Sequence, residues 1–254
     1  MQSSVQMSNQ VYLVTGASKG LGRSICELLA NNGYIVIGLA RASSELSSLD
    51  DLLKGFNPKS LTINCDLSNP SEVSLAGNQI AEEYSSVHGI IHNAGIISPI
   101  GSMFDVDSSV WDQTIMVNLS SVQHLTKALH ALMVNAQRCR VTTISSGAAI
   151  NSLESWSAYC TSKAGLEMWT KCLANEGSKD GISAISIAPG IVDTDMQVKI
   201  RSVSQEDFPM VDRFIEFHKN GDLVAPNLVA DALFNLITCH TMEQSGERFD
   251  VREL

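Results

Sequence analysis

Tyr159 and Lys163 stand one helical turn apart in the segment Tyr-Cys-Thr-Ser-Lys, at the opening of a stretch with helical periodicity. On a helix that spacing brings a phenol and an ammonium to the same face. A phenol titrates near ~10 in water, too high for easy proton exchange near neutrality. Lowering that value by about three units takes roughly 4 kcal/mol of preferential stabilisation of the phenolate, and the Lys163 cation is a natural source of it. The pair alone is a weak signal, since four tyrosines and nine lysines in 254 residues give roughly 0.14 such matches by chance. Placement adds weight. Ser146, whose hydroxyl could orient and polarise an oxygen, lies 13 residues before Tyr159, and Asn118 lies 28 residues before Ser146.

These side chains must be held by an alternating framework. Val11–Val14, Ile35–Leu39, Leu61–Asn64, Gly89–Ile91, Val141–Ile144 and Ile182–Ile187 read as short apolar strands, and Arg248–Val251 as a short closing strand. Between them run helical patterns. One passes through Ile25, Leu28 and Leu29 and stops at Gly33; another is opened by Ser68-Asn69-Pro70. Long stretches follow at about 108–134 and 158–176, with a last helix over Leu228–Ile237. Strands apolar on both faces and separated by helices imply an α/β fold, a doubly wound parallel sheet covered on both sides. Residues 1–9 are polar and read as a flexible tail. Residues 10–254 read as one domain, with a substrate lid at about 194–222. Ser146, Tyr159 and Lys163 then converge at the C-terminal edge of the sheet, where such folds take ligands.

Thr15-Gly16-Ala17-Ser18-Lys19-Gly20-Leu21-Gly22 sits between the first strand and the first helix. Glycines there permit a tight turn and close approach of a pyrophosphate, and the helix N-terminus offers unpaired N–H groups. The second strand ends in Ala40-Arg41, without the carboxylate that would hold a ribose 2′-hydroxyl. A guanidinium can instead meet a 2′-phosphate bidentately, with Lys19 as a second cation, which favours NADP(H). The glycine spacing, Asn93-Ala94-Gly95 after the fourth strand and the Tyr159/Lys163 pair together resemble the short-chain dehydrogenase/reductase family, of Rossmann-like fold, over nearly the whole chain.

That resemblance implies an NADP-dependent oxidoreductase with Asn118, Ser146, Tyr159 and Lys163 as its catalytic positions; the spacing to Tyr159 selects Ser146 over Ser145. Tyr159 would give a proton to a reduced carbonyl, Lys163 would support the phenolate and hold the nicotinamide ribose, and Asn118 would hold a water. Gly16, Ser18, Lys19, Gly20, Leu21, Gly22, Arg41, Asp66, Asn93, Ala94 and Gly95 would bind the cofactor. Pro189, Gly190, Val192 and Thr194 would flank its nicotinamide. Asp66 has a second reading as a loop-capping residue. The family's usual Asn before Asn93 is His92 here, expected to be satisfied by backbone. Ala188–Gln197 and Gln244–Asp250 resemble the sepiapterin reductase and benzil reductase group. In sepiapterin reductases an Asp matching Asp250 binds the guanidine-like edge of the pterin, although here Asp250 could instead pair with Arg248 or Arg252. Ser146, Leu153, Trp156, Tyr159, Met196 and Asp250 form the expected substrate contacts, with Phe208, Met210, Phe214 and Phe217 as an apolar stripe in the lid.

A net charge of −10 disfavours nucleic acid and anionic membranes. The scattered cysteines show no metal or disulfide framework. The expected partner is a small carbonyl substrate, a ketone or α-diketone, in a cytoplasmic homodimer or tetramer built on the two long helices. A reductase of 3-oxoacyl or biosynthetic ketones, or a non-catalytic NADP(H) sensor, are the alternatives.

Overall fold

The computed structural model describes residues 9–253, so most of the expected tail lies outside the described residues. Seven strands form one parallel sheet: β1 (Val11–Thr15), β2 (Ile35–Ala40), β3 (Leu61–Asn64), β4 (Gly89–His92), β5 (Cys139–Ile144), β6 (Ile182–Ala188) and β7 (Arg248–Asp250). Their order is β3-β2-β1-β4-β5-β6-β7. Every pairing is parallel, so every connection must cross a face of the sheet. The helices are α1 (Gly20–Asn31), α2 (Ser44–Phe56), α3 (Pro70–Glu83), α4 (Ser108–Ile115), α5 (Ser121–Asn135), α6 (Ser157–Gly177), α7 (Asp195–Arg201), α8 (Val211–Asn220) and α9 (Pro226–Cys239).

Alternation along the strands builds two cores. Leu13, Ile37, Ile90 and Val141 face α3 and α5, meeting Val73, Ile80, Leu125 and Leu129. Their neighbours Tyr12, Val14, Val36 and Ile91 face α1, α2 and α9, meeting Ile25, Leu29, Leu49, Leu53 and Leu233. Because side chains alternate along a strand, both faces of a buried strand must be apolar, which is why β1 and β2 read as continuous hydrophobic runs.

The structure departs from the sequence reading in two elements and adds detail in a third. Helix α2, not anticipated, is capped by Ser43, which accepts from the N–H of Leu46, and it buries Leu46, Leu49 and Leu53. The stretch expected as one helix over 108–134 is interrupted by a π-helical turn, Met116–Ser120. The segment expected as a lid, residues 194–222, contains two helices, α7 and α8. The helices and the link between them pack Ile200, Phe208, Val211 and Phe214 around Trp156 and Tyr159 in a third apolar cluster, Phe208 of the link stacked on Trp156 with centroids 5.1 Å apart. Among the described residues no helix is long and apolar enough to cross a membrane.

Candidate active site

The chain reverses direction across the sheet between β1 and β4, and the crevice this opens at the C-terminal strand ends holds a cavity of about 1520 Å³. Thr15 ties its two sides together: its hydroxyl accepts from the N–H groups of Asn93 (3.1 Å) and Ala94 (3.0 Å). Asn93 returns the contact, its Nδ2 donating to the Thr15 carbonyl at 2.9 Å. Gly16 and Gly20 adopt φ of +67° and +57°, conformations that side chains resist. A Cβ on Gly16 would sit 2.9 Å from the Cα of Ala94, so the turn can press against the loop after β4 only as glycine.

Helix α1 begins here without a side-chain cap, since Lys19 holds the N-cap position and caps nothing. Gly20, Leu21 and Gly22 line the cavity, and a first helical turn left open in this way suits a pyrophosphate. Ser18, Arg41, Asp66, Asn93, Ala94 and Gly95 line the same groove, as do Pro189, Gly190, Val192 and Thr194 farther along. Arg41 is exposed at the end of β2. Asp66 keeps its loop-capping role, accepting from the N–H and hydroxyl of Ser68 (both 2.8 Å), and these bonds, with Arg41 nearby, hold its carboxyl below the usual range. Lys19 is paired with Asp195 of α7 at 2.5 Å. The groove therefore offers a glycine cradle, an open helix terminus and basic side chains, a donor set that fits a phosphorylated dinucleotide.

Beyond the groove, Ser146, Tyr159 and Lys163 line the cavity wall. The Ser145 hydroxyl is already engaged, donating to the buried Glu167 at 2.6 Å, which leaves Ser146 as the serine bonded to the tyrosine. Burial pushes the Tyr159 phenol up to about 12, with the hydrogen bond to Ser146 opposing the rise. The ammonium of Lys163 is buried, 5.7 Å from the centre of the Tyr159 ring, and donates to the Ile144 carbonyl at 2.7 Å. Burial brings it down to about 8. The expected lowering of the phenol by this lysine is thus absent from the protein alone, where burial of the ring dominates. Asn118, in the π turn, lies behind the wall, bonded to Ile96 and Ser162.

Leu153, Trp156 and Met196 line the cavity with Tyr159, together with Met210, Phe214 and Phe217 of residues 194–222, whereas Phe208 is wholly buried and stacked on Trp156. Asp250 does not reach the cavity. Its buried carboxylate is gripped by Arg252, with Nε and Nη2 at 2.7 and 2.6 Å, and Arg252 lines the cavity instead. His92 is also resolved differently from expectation: its Nε2 bonds the hydroxyl of Thr126 at 2.9 Å, not backbone, and burial holds it near 3, hence neutral. Gln197 and Arg213 also line the cavity; Gln197 closes the Ala188–Gln197 run without having been named as a contact, and Arg213 lies in no motif.

A switch-point crevice with a glycine cradle, leading to a tyrosine and lysine one turn apart, defines a dinucleotide-dependent oxidoreductase. The chain belongs to the short chain dehydrogenase family, whose sequence profile matches residues 10–205. Its members are oxidoreductases acting on carbonyl and hydroxyl groups, and so is this protein. It is 32% identical to the Bacillus cereus benzil reductase ((S)-benzoin forming), over 95% of this chain and 98% of the relative. Among solved structures, the KRED1-Pglu enzyme superposes with a TM-score of 0.86 at 30% identity, covering 94% of this chain and 99% of that one. A short chain dehydrogenase from Escherichia coli CFT073 complexed with NADPH superposes at 0.79 with 25% identity, covering 96% of each.

Proposed function

We propose that this oxidoreductase is an NADPH-dependent carbonyl reductase of aromatic ketones and α-diketones, with Tyr159 as proton donor. The observation that carries the reading is a buried Tyr159 at the junction of the basic groove and an aromatic chamber walled by Trp156, Met196, Phe214 and Phe217. The likeness to a benzil reductase and to a structure holding NADPH supports it.

The cofactor is NADP(H), held by the Gly16–Gly22 turn, Asn93–Gly95 and Thr194, with Arg41 and Lys19 toward the 2′-phosphate. When bound, NADPH would supply the hydride for the carbonyl carbon. Ser146 hydrogen-bonds the carbonyl oxygen and orients it toward Tyr159. The Tyr159 hydroxyl gives its proton to the developing alkoxide, and the phenolate left behind is stabilised by the Lys163 ammonium in a low-dielectric wall. Asn118 fixes the spacing of these elements, and the free lone pair of its Oδ1 can hold a water that returns the proton. Residues 194–222 close over the substrate, and the protein works as a cytoplasmic homodimer joined through α5 and α6.

Loss of NADPH absorbance is followed with benzil, other α-diketones, a quinone and sepiapterin, with NADH in parallel, for the wild type and Tyr159→Phe. Turnover with NADPH that falls at least a hundredfold in the variant, with cofactor binding retained, is the expected outcome. Unchanged turnover in Tyr159→Phe would overturn the assignment of the donor.

A further inference from the structure

We propose that Glu167 is a positioning residue for the reduction: through Ser145 it fixes the end of β5 against α6, and so holds Ser146 at the Tyr159 hydroxyl. The inference rests on the carbonyl reductase reading, in which Ser146 orients the carbonyl. Glu167 is only 8% exposed, and no step of that reading uses it. Burying a carboxylate is costly unless it is hydrogen-bonded and its charge is met. Both conditions hold. Its Oε1 accepts from the Ser145 hydroxyl at 2.6 Å and from Nε of Arg248, in β7, at 2.9 Å.

The bond to Ser145 is one rung of a ladder. Tyr159, Lys163, Glu167 and Thr170 follow one another at spacings of four, four and three, and so share one face of α6. Thr170 meets the Thr143 hydroxyl at 2.8 Å, and Lys163 donates to the Ile144 carbonyl at 2.7 Å. Glu167 takes the Ser145 hydroxyl, and Tyr159 bonds Ser146. Four consecutive residues, Thr143 to Ser146, are thus each pinned to that face. The main-chain bond from Ser145 to the Ile187 carbonyl, at 2.7 Å, continues the sheet ladder and leaves the separation from the helix open. At Ser145 that separation is set by Glu167, one residue before Ser146. Arg248 ties the same oxygen to β7, and a bond to a charged acceptor is roughly twice as strong as one between neutral groups.

Ser145→Ala removes the rung and leaves Glu167 paired with Arg248. It is expected to lower kcat for benzil about tenfold with the KM for NADPH unchanged, since no contact of the glycine groove is altered. Glu167→Gln keeps an acceptor for Ser145 and is expected to hold kcat within about threefold of wild type while lowering the melting temperature. In a Ser146→Ala background, with rates read in single turnovers so that slow variants are measured, Ser145→Ala is expected to cost nothing further, because the rung acts through Ser146. An unchanged kcat in Ser145→Ala, or the same loss in both backgrounds, would overturn the proposal. If the wild type turns over no ketone, the reductase reading fails on its own, and crystal structures still decide Glu167. A Ser145→Ala structure in which Ser146 has left the Tyr159 hydroxyl supports it, and one in which the contact persists overturns it.

Discussion

Asn118 and Ile96 exchange two hydrogen bonds, Oδ1 accepting the Ile96 N–H at 2.8 Å and Nδ2 donating to the Ile96 carbonyl at 2.9 Å. The other Nδ2 hydrogen reaches the Ser162 hydroxyl at 3.0 Å, which in turn donates to the Tyr159 carbonyl at 2.8 Å. One fully buried side chain thus fastens the loop after β4 to the helix that carries the tyrosine. Asn118→Ala leaves these groups without their partner. It is expected to cost about 2–4 kcal/mol of stability and to lower kcat more than it raises the KM for NADPH. Thermal unfolding alongside steady-state kinetics checks both. An unchanged melting temperature would remove Asn118 from the scaffold.

Why Asn118 can do this was only half legible from the chain. Its position in a helical stretch was readable, but the π turn that carries it was not, because local composition does not distinguish a π turn from the α-helix around it. The parallel sheet was legible because burial on both faces writes continuous apolar runs, and the glycine turn because positive φ restricts residue choice. Helix α2 escaped notice since Ser44, Ser47, Ser48, Asp50 and Asp51 dilute a stripe of three leucines; the Ser43 cap and the Leu46/Leu49/Leu53 spacing were the signal. Asp250 shows the other limit. Sequence placed a carboxylate at the site, but whether it meets substrate or Arg252 depends on the turn into residues 251–253, which only the fold decides.

Lys163 gives the site a defined pH response. Its ammonium drops from 10.5 to about 8 on burial, so between those values the unfolded chain binds more protons and stability rises with pH. Below about pH 8 the buried cation costs on the order of 3 kcal/mol. Against Lys163→Met, in which nothing titrates, the stability difference is expected to move toward the variant by that amount as pH falls from 10.5 to 8. Denaturant unfolding at both ends of the window reads it. In catalysis Tyr159, near 12, stays protonated throughout, so the falling limb of kcat/KM for reduction is expected near pH 8 and belongs to Lys163. A limb found only above pH 10 would return it to the tyrosine.

Arg41 and Lys19 both line the groove as cations, but the structure does not leave them equivalent. Arg41 is exposed at the end of β2, whereas Lys19 is already engaged by Asp195 across the groove. A guanidinium meeting a phosphate makes charge-assisted bonds, each worth about 1.5–3 kcal/mol. Arg41→Ala is accordingly expected to lower kcat/KM for NADPH by roughly 10- to 100-fold while leaving NADH nearly unchanged. Lys19→Ala should cost less, because NADPH must draw the lysine away from a carboxylate before using it. Asp195→Asn removes that competition and is expected to lower the KM for NADPH slightly, provided Lys19 is present. The double variant Lys19→Ala/Asp195→Asn should show no such gain. Initial rates with both cofactors, repeated at low and high salt, check the set, since a phosphate contact weakens with ionic strength and a packing effect does not. An Arg41→Ala variant that loses NADPH and NADH activity equally would move 2′-phosphate recognition off the end of β2.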